Sequence, residues 1–82
     1  MSYEKVEQGS NPFVGIKQTL KALDNDLVSE LVIASDADTR IVTQAEQLAQ
    51  TKRIPIVYVD SMKKLGKACG IDVGAATVAL RK

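Results

Sequence analysis

Apolar positions along this chain recur in two rhythms, and the switches between them mark out its elements. After Gly15, Ile16, Leu20 and Leu23 repeat at spacings of three and four, which predicts a helix ended by Asp24-Asn25-Asp26. Glu30-Leu-Val-Ile-Ala34 is an unbroken β-branched run and reads as a buried strand. The strongest helical stripe follows, with Ile41, Val42, Ala45, Leu48 and Ala49 on one face. Its other face holds Arg40, Gln44, Glu46, Gln47 and Gln50, and Asp38 or Thr39 caps its start. Pro55 to Val59 is a second apolar strand, after which Asp60 or Ser61 caps a helix running through Cys69. Gly70 stands where helices commonly end in the left-handed conformation, Ile71-Asp72-Val73-Gly74 is a loop, and Thr77 to Leu80 is a last strand.

The N-terminal part is weaker in pattern. Ser2 is positioned to cap a short helix over Tyr3 to Gln8, with Tyr3 and Val6 on one face. Gly9-Ser10-Asn11-Pro12 breaks it, and Phe13-Val14 has room for a brief strand at most. Strands and helices alternate through short connections, so the expected fold is α/β, with four short strands in a three-layer α/β/α sandwich. No linker, repeat or low-complexity tract divides residues 1–82, and a chain of this length makes one domain.

Composition narrows the chemistry. The chain has no His and one cysteine, Cys69, so His-based acid–base catalysis, His metal sites, an internal disulfide and a zinc cluster are all excluded. No window of about eighteen apolar residues exists and the N-terminus lacks a signal-like apolar stretch, which predicts a cytoplasmic protein with no membrane partner. The net charge of +1 does not advertise a nucleic-acid partner, but the charges are segregated. Residues 61–70 carry three lysines and no acid, residues 15–21 two lysines and no acid, and residues 24–38 five acids and no base. Three aromatics are too few for a base-stacking platform.

Five features bear on function. Asp36-Ala-Asp38-Thr39, straight after a strand, resembles the nucleophile motif of haloacid-dehalogenase-type phosphatases, which would make Asp36 and Asp38 a magnesium-dependent phosphohydrolase pair. No later acidic pair is suitably placed to hold the metal, and a polar loop with Asp38 capping the next helix explains the string more simply. Cys69 has no His to activate it and shares an apolar helix side with Met62 and Leu65, as a small buried hydrophobe does. The Gly66, Gly70, Gly74 spacing reads as coincidence, since no membrane helix exists for it to serve. The helix opening at Gly15 says more: Lys17, Gln18 and Lys21 share one polar face beside a helix start whose N–H groups favour phosphate. On composition alone a solvated face accounts for those residues. The Ile71–Gly74 loop offers two β-branched apolar residues where a connection should face water. Core packing around a turn explains it equally well, but beside the Gly15 helix start it would edge a basic surface with an apolar wedge. That combination suits RNA with an unstacked base.

Gly-Ile-Lys-Gln-Thr-Leu-Lys at 15–21, Leu-Gly-Lys-Ala-Cys-Gly at 65–70 and Ile-Asp-Val-Gly-Ala-Ala at 71–76, in that order, resemble the L-seven-Ae (L7Ae) family of kink-turn RNA-binding ribosomal proteins, most of all its short bacterial YbxF-like members. The likeness runs from Val14 to about Leu80. It implies a three-layer sandwich around a mixed four-stranded sheet, and binding to the kink-turn, an RNA element that bends sharply at a bulge beside tandem sheared G·A pairs. In the family, the helix beginning at the glycine enters the widened groove at those pairs. An asparagine–glutamate pair there meets the guanines, with a lysine one turn later. Lys17 and Gln18 occupy the positions of that pair, and Lys21 matches the lysine. Replacing a pair of net charge −1 with Lys-Gln removes an acceptor-only group and adds a cation, which shifts recognition toward electrostatics. Met62 stands where many archaeal relatives have a lysine, so the charge behind one phosphate contact is lost. Ile71, Asp72 and Val73 match the loop flanking the splayed nucleotide, and Gly74 replaces a commoner proline or alanine.

The expectation is therefore an RNA-binding module rather than an enzyme, with no catalytic, metal or cofactor residues. Gly15, Lys17, Gln18, Lys21, Ile71, Asp72, Val73 and Gly74 form its RNA contact. Its partner would be ribosomal RNA, a riboswitch or another structured RNA containing a kink-turn. Nothing points to an obligate dimer, so a monomer is expected. A protein-interaction adaptor on the same fold is the alternative from a different class.

Overall fold

The apolar run around Val32 forms the middle of a four-stranded sheet, in a computed structural model that describes residues 6–7 and 11–82. The elements are β1 (Phe13–Val14), α1 (Ile16–Asp24), β2 (Val28–Ala34), α2 (Thr39–Thr51), β3 (Ile56–Val59), α3 (Met62–Ala68) and β4 (Thr77–Arg81). The strands lie in the order β1-β4-β2-β3. β2 and β3 are parallel, with Leu31 beside Ile56, whereas β4 runs antiparallel to both β2 and β1. The sheet is thus mixed, as the family likeness implies.

Residues 31–34 of β2 are all buried because both sheet faces are covered. On one face Leu31, Ile33 and Ala79 meet Ala22 and Leu23 of α1 and Val42, Ala45 and Ala49 of α2. On the other, Val32, Ala34, Val59, Val78 and Leu80 meet Leu65 of α3 and Val6. The three-layer α/β/α architecture follows directly from this alternation.

α1, α2 and α3 close in the same manner. A residue with positive φ follows each one (Asp26, Arg53 and Gly70), and the next N–H reaches back to a carbonyl five residues earlier: Leu27 to Ala22, Ile54 to Ala49, Ile71 to Gly66. Only at Gly70 does glycine mark that geometry. The salt bridge between Lys52 and Asp26, at 2.8 Å, ties the C-terminal ends of α1 and α2 together.

Some boundaries differ from the sequence reading. β2 begins at Val28, not Glu30, because the turn closing α1 ends at Leu27 and feeds straight into the sheet. Ser29 falls at the irregular register there, and its hydroxyl donates to the carbonyls of Leu80 and Arg81. Pro55 lies just outside β3, although its carbonyl accepts from Leu31. β4 continues to Arg81, whose guanidinium lies over the Phe13 ring and donates to the Asn11 carbonyl at 2.6 Å. Val6 and Glu7 are helical and Val6 is buried; the rest of the proposed Tyr3–Gln8 helix, with its Ser2 cap, lies outside the described residues. Among the described residues, no helix is long and apolar enough to cross a membrane.

Candidate functional site

The Gly15 helix start is held by the first residue of β4. Gly15 has φ +91 and ψ 163, a backbone region essentially confined to glycine. That turn lets its N–H donate to the Thr77 carbonyl at 2.9 Å while its own carbonyl accepts from Thr19 at 2.9 Å. One turn on, the buried hydroxyls of Thr19 and Thr77 are 2.9 Å apart. Thr77 lies three residues beyond Gly74, so the strand that holds the start of α1 is the one the loop runs into. The space beyond Gly15 is open, since a Cβ built there would meet nothing within 4 Å. Its constraint is therefore conformational and not steric.

No side chain caps α1, so the first-turn N–H groups beyond Gly15 are left to water or a bound anion. The Gly15 N–H itself is not among them, being engaged with Thr77. Lys17, Gln18 and Lys21 are all exposed, on one side of the helix opposite Thr19, Ala22 and Leu23.

The loop is built against α3. The Ile71 N–H donates to the Gly66 carbonyl at 3.1 Å and the Ala75 N–H to the Met62 carbonyl at 3.0 Å. Contact is backbone to backbone: a Cβ on Gly66 would lie 1.9 Å from the Val73 oxygen, and one on Gly74 3.2 Å from Met62 Cβ. The glycines at 66 and 74 are therefore no coincidence, because each removes a side chain from the seam between α3 and the loop. Asp72, Val73 and Gly74 are exposed, Ile71 is half-buried, and Val73 is 70% accessible. Of the two apolar loop residues, Val73 points outward while Ile71 largely belongs to the fold.

Asp36 and Asp38 both serve helix starts. Asp38 accepts from the Arg40 N–H at 2.9 Å and pairs with its guanidinium at 3.1 Å, and these bonds lower its carboxyl below the usual range. Asp36 reaches across to α3 and accepts from the Met62 N–H at 2.8 Å, while Ser61 caps the same helix through the Lys64 N–H. The phosphatase-like string is thus accounted for by two caps, one local and one between loops. Asp36→Ala should cost about 1 kcal/mol in chemical denaturation, and Asp36→Asn, which keeps an acceptor, much less. Cys69 is half-buried against the second core cluster, and burial pushes its thiol pKa up, the opposite of a nucleophile's need.

Sequence reasoning named the exposed residues and missed the ones that hold them. Thr19 carried a signal, since it falls on the apolar stripe of α1 with Ile16 and Leu23. Thr77, Gly66 and the Asp36–Met62 bond carried none, because each depends on a partner distant in the chain.

Residues 3–82 match the model of the ribosomal protein L7Ae/L30e/S12e/Gadd45 family. An RNA-binding protein of Halalkalibacterium halodurans is 66% identical over 82 residues, the whole of both chains. The RNA-binding protein YbxF of Geobacillus stearothermophilus is 49% identical over 80 residues, 98% of each chain. Among solved structures, the Giardia lamblia 15.5kD RNA binding protein has a TM-score of 0.84 at 25% identity, covering 98% of this chain and 68% of that one.

Proposed function

This chain belongs to the ribosomal protein L7Ae/L30e/S12e/Gadd45 family, and on that premise we propose that it is an RNA-binding module that recognises and stabilises kink-turns. Its relatives are named for RNA binding and not for a reaction, and the protein is accordingly a binder rather than an enzyme. It acts by differential affinity: RNA exchanges between extended and kinked forms, and a ligand that binds only the kinked form draws the population toward it.

The observation that carries this reading is that an uncapped, lysine-bearing helix start is bonded to Thr77, the residue three places beyond a loop tipped by an exposed valine. Each half suits one part of a kinked RNA. The α1 start offers amide N–H groups and two cations to phosphate and guanine edges, and Gln18 can both donate to and accept from a base. Val73 provides an apolar surface for a base that has left its stack, with Ile71 supporting it from within the fold, Asp72 orienting the loop and Gly74 closing it against α3. Gly15 keeps the ground beside this helix start clear.

Lys21→Glu should weaken binding to a kink-turn RNA by on the order of 1–3 kcal/mol in a fluorescence titration. Unchanged affinity would remove α1 from the interface. For the unaltered protein, the logarithm of affinity should fall steeply with the logarithm of salt, with a slope near the number of phosphates neutralised. A flat response would contradict the roles given to the lysines.

A further inference from the structure

The lysines of α3 fall outside the contact described so far, and their position on the helix points to a use. Residues 61–70 hold three lysines and no acid. α3 turns its Met62–Gly66 ridge to the loop, as the near contacts with Gly74 and the Val73 carbonyl require. Leu65, about 100° round in one direction, enters the core. About 100° in the other direction lie Lys63 and Lys67, both exposed, four residues apart and so on one line. This line borders the loop on its solvent side. Lys64 points further round, and it is the one α3 lysine in an ion pair among the described residues, 3.5 Å from Asp60. Asp72 is the acid within the loop, and Asp36 is occupied at the Met62 N–H.

The exposed Val73 therefore has a lysine pair beside it on α3, Lys63/Lys67, with the same i, i+4 spacing as Lys17/Lys21 on α1. An i, i+4 pair spans about 6 Å along a helix axis, so the two ammonium groups of each pair can meet more than one phosphate of a strand. We infer that Lys63 and Lys67 form a second phosphate track on α3, which holds the RNA backbone where it leaves the unstacked nucleotide. The track binds phosphate by charge and adds affinity without reading sequence.

This inference rests on the kink-turn reading, and one set of titrations separates the two. Wild type, Lys63→Gln/Lys67→Gln and Lys64→Gln are each titrated with a kink-turn RNA and with the same RNA carrying Watson–Crick pairs in place of its G·A pairs, at several salt concentrations. The double variant should keep its preference for the kink-turn. Its salt slope should fall by roughly 1.4–1.8, since each phosphate contact contributes roughly 0.7–0.9, and its affinity near physiological salt by roughly tenfold or more. Lys64→Gln should leave the slope unchanged. If wild type prefers the kink-turn but the double variant keeps its slope, the track is overturned and the kink-turn reading stands. An equal slope loss in Lys64→Gln also overturns the track, because diffuse charge would then suffice. If wild type binds both RNAs alike, the kink-turn reading falls and this inference with it.

Discussion

Gly66→Ala lowers the unfolding free energy by about 1–3 kcal/mol and dislodges the 71–74 loop. The added methyl would lie 1.9 Å from the Val73 oxygen, 3.0 Å from its carbonyl carbon and 3.1 Å from Gly74 Cα. All three atoms are backbone, so no side-chain rotation relieves the clash. In an exposed helix, alanine would instead add about 1 kcal/mol over glycine, so a net loss at this position reports the clash alone. α3 is fixed by Leu65 in the core, and the loop is the part that yields. The bonds from Ile71 to Gly66 and from Ala75 to Met62 then open. Amide exchange at Ile71 and Ala75 should accelerate selectively, and affinity for a kink-turn RNA should fall with it although no RNA-facing side chain has changed. A variant as stable as wild type, with protected amides at both positions, would show that the seam between α3 and the loop is not under the constraint described.

The same seam shows what could be read from the chain and what could not. The helices were legible because their apolar stripes run long: Ile41 to Ala49 repeats through more than two turns, and Asp38 and Gly70 mark a start and an end with the chemistry each position needs. Two further helix ends escaped notice because Asp26 and Arg53, rather than glycine, take the left-handed position. The strand order was not legible from periodicity. β4 sits between β1 and β2, a pairing between residues 44 to 66 apart, and the mixed sheet entered only through the family likeness. The exposed residues proposed for the RNA contact stood out as polar or apolar residues in the wrong company, Lys17 and Lys21 without acids and Val73 in a loop. Their supports did not stand out. Thr19 and Thr77 are 58 positions apart, Asp36 and Met62 are 26 apart, and Gly66 looks like any helical glycine until the Val73 carbonyl is seen against it.

Discrimination between kinked and regular RNA should be the largest effect of all, and its cause is the shape of the groove. The major groove of an A-form helix is too deep and narrow for side chains to read. The start of α1, with Lys17, Gln18 and Lys21, can reach guanine edges only where sheared G·A pairs widen that groove and the bend brings both arms against the protein. Val73 likewise needs a base already out of its stack. Converting the G·A pairs to Watson–Crick pairs closes the groove, straightens the duplex and restores stacking, while leaving the number of phosphates unchanged. Electrostatic attraction survives that change; shape recognition does not. The direct measurement is a paired titration at fixed physiological salt, one RNA carrying the kink-turn and the other the same duplex with those pairs made Watson–Crick. Binding to the kink-turn should be tighter by on the order of a thousandfold, the low end of the gap between specific and non-specific nucleic-acid binding, whereas equal affinity for the two RNAs would contradict kink-turn recognition outright.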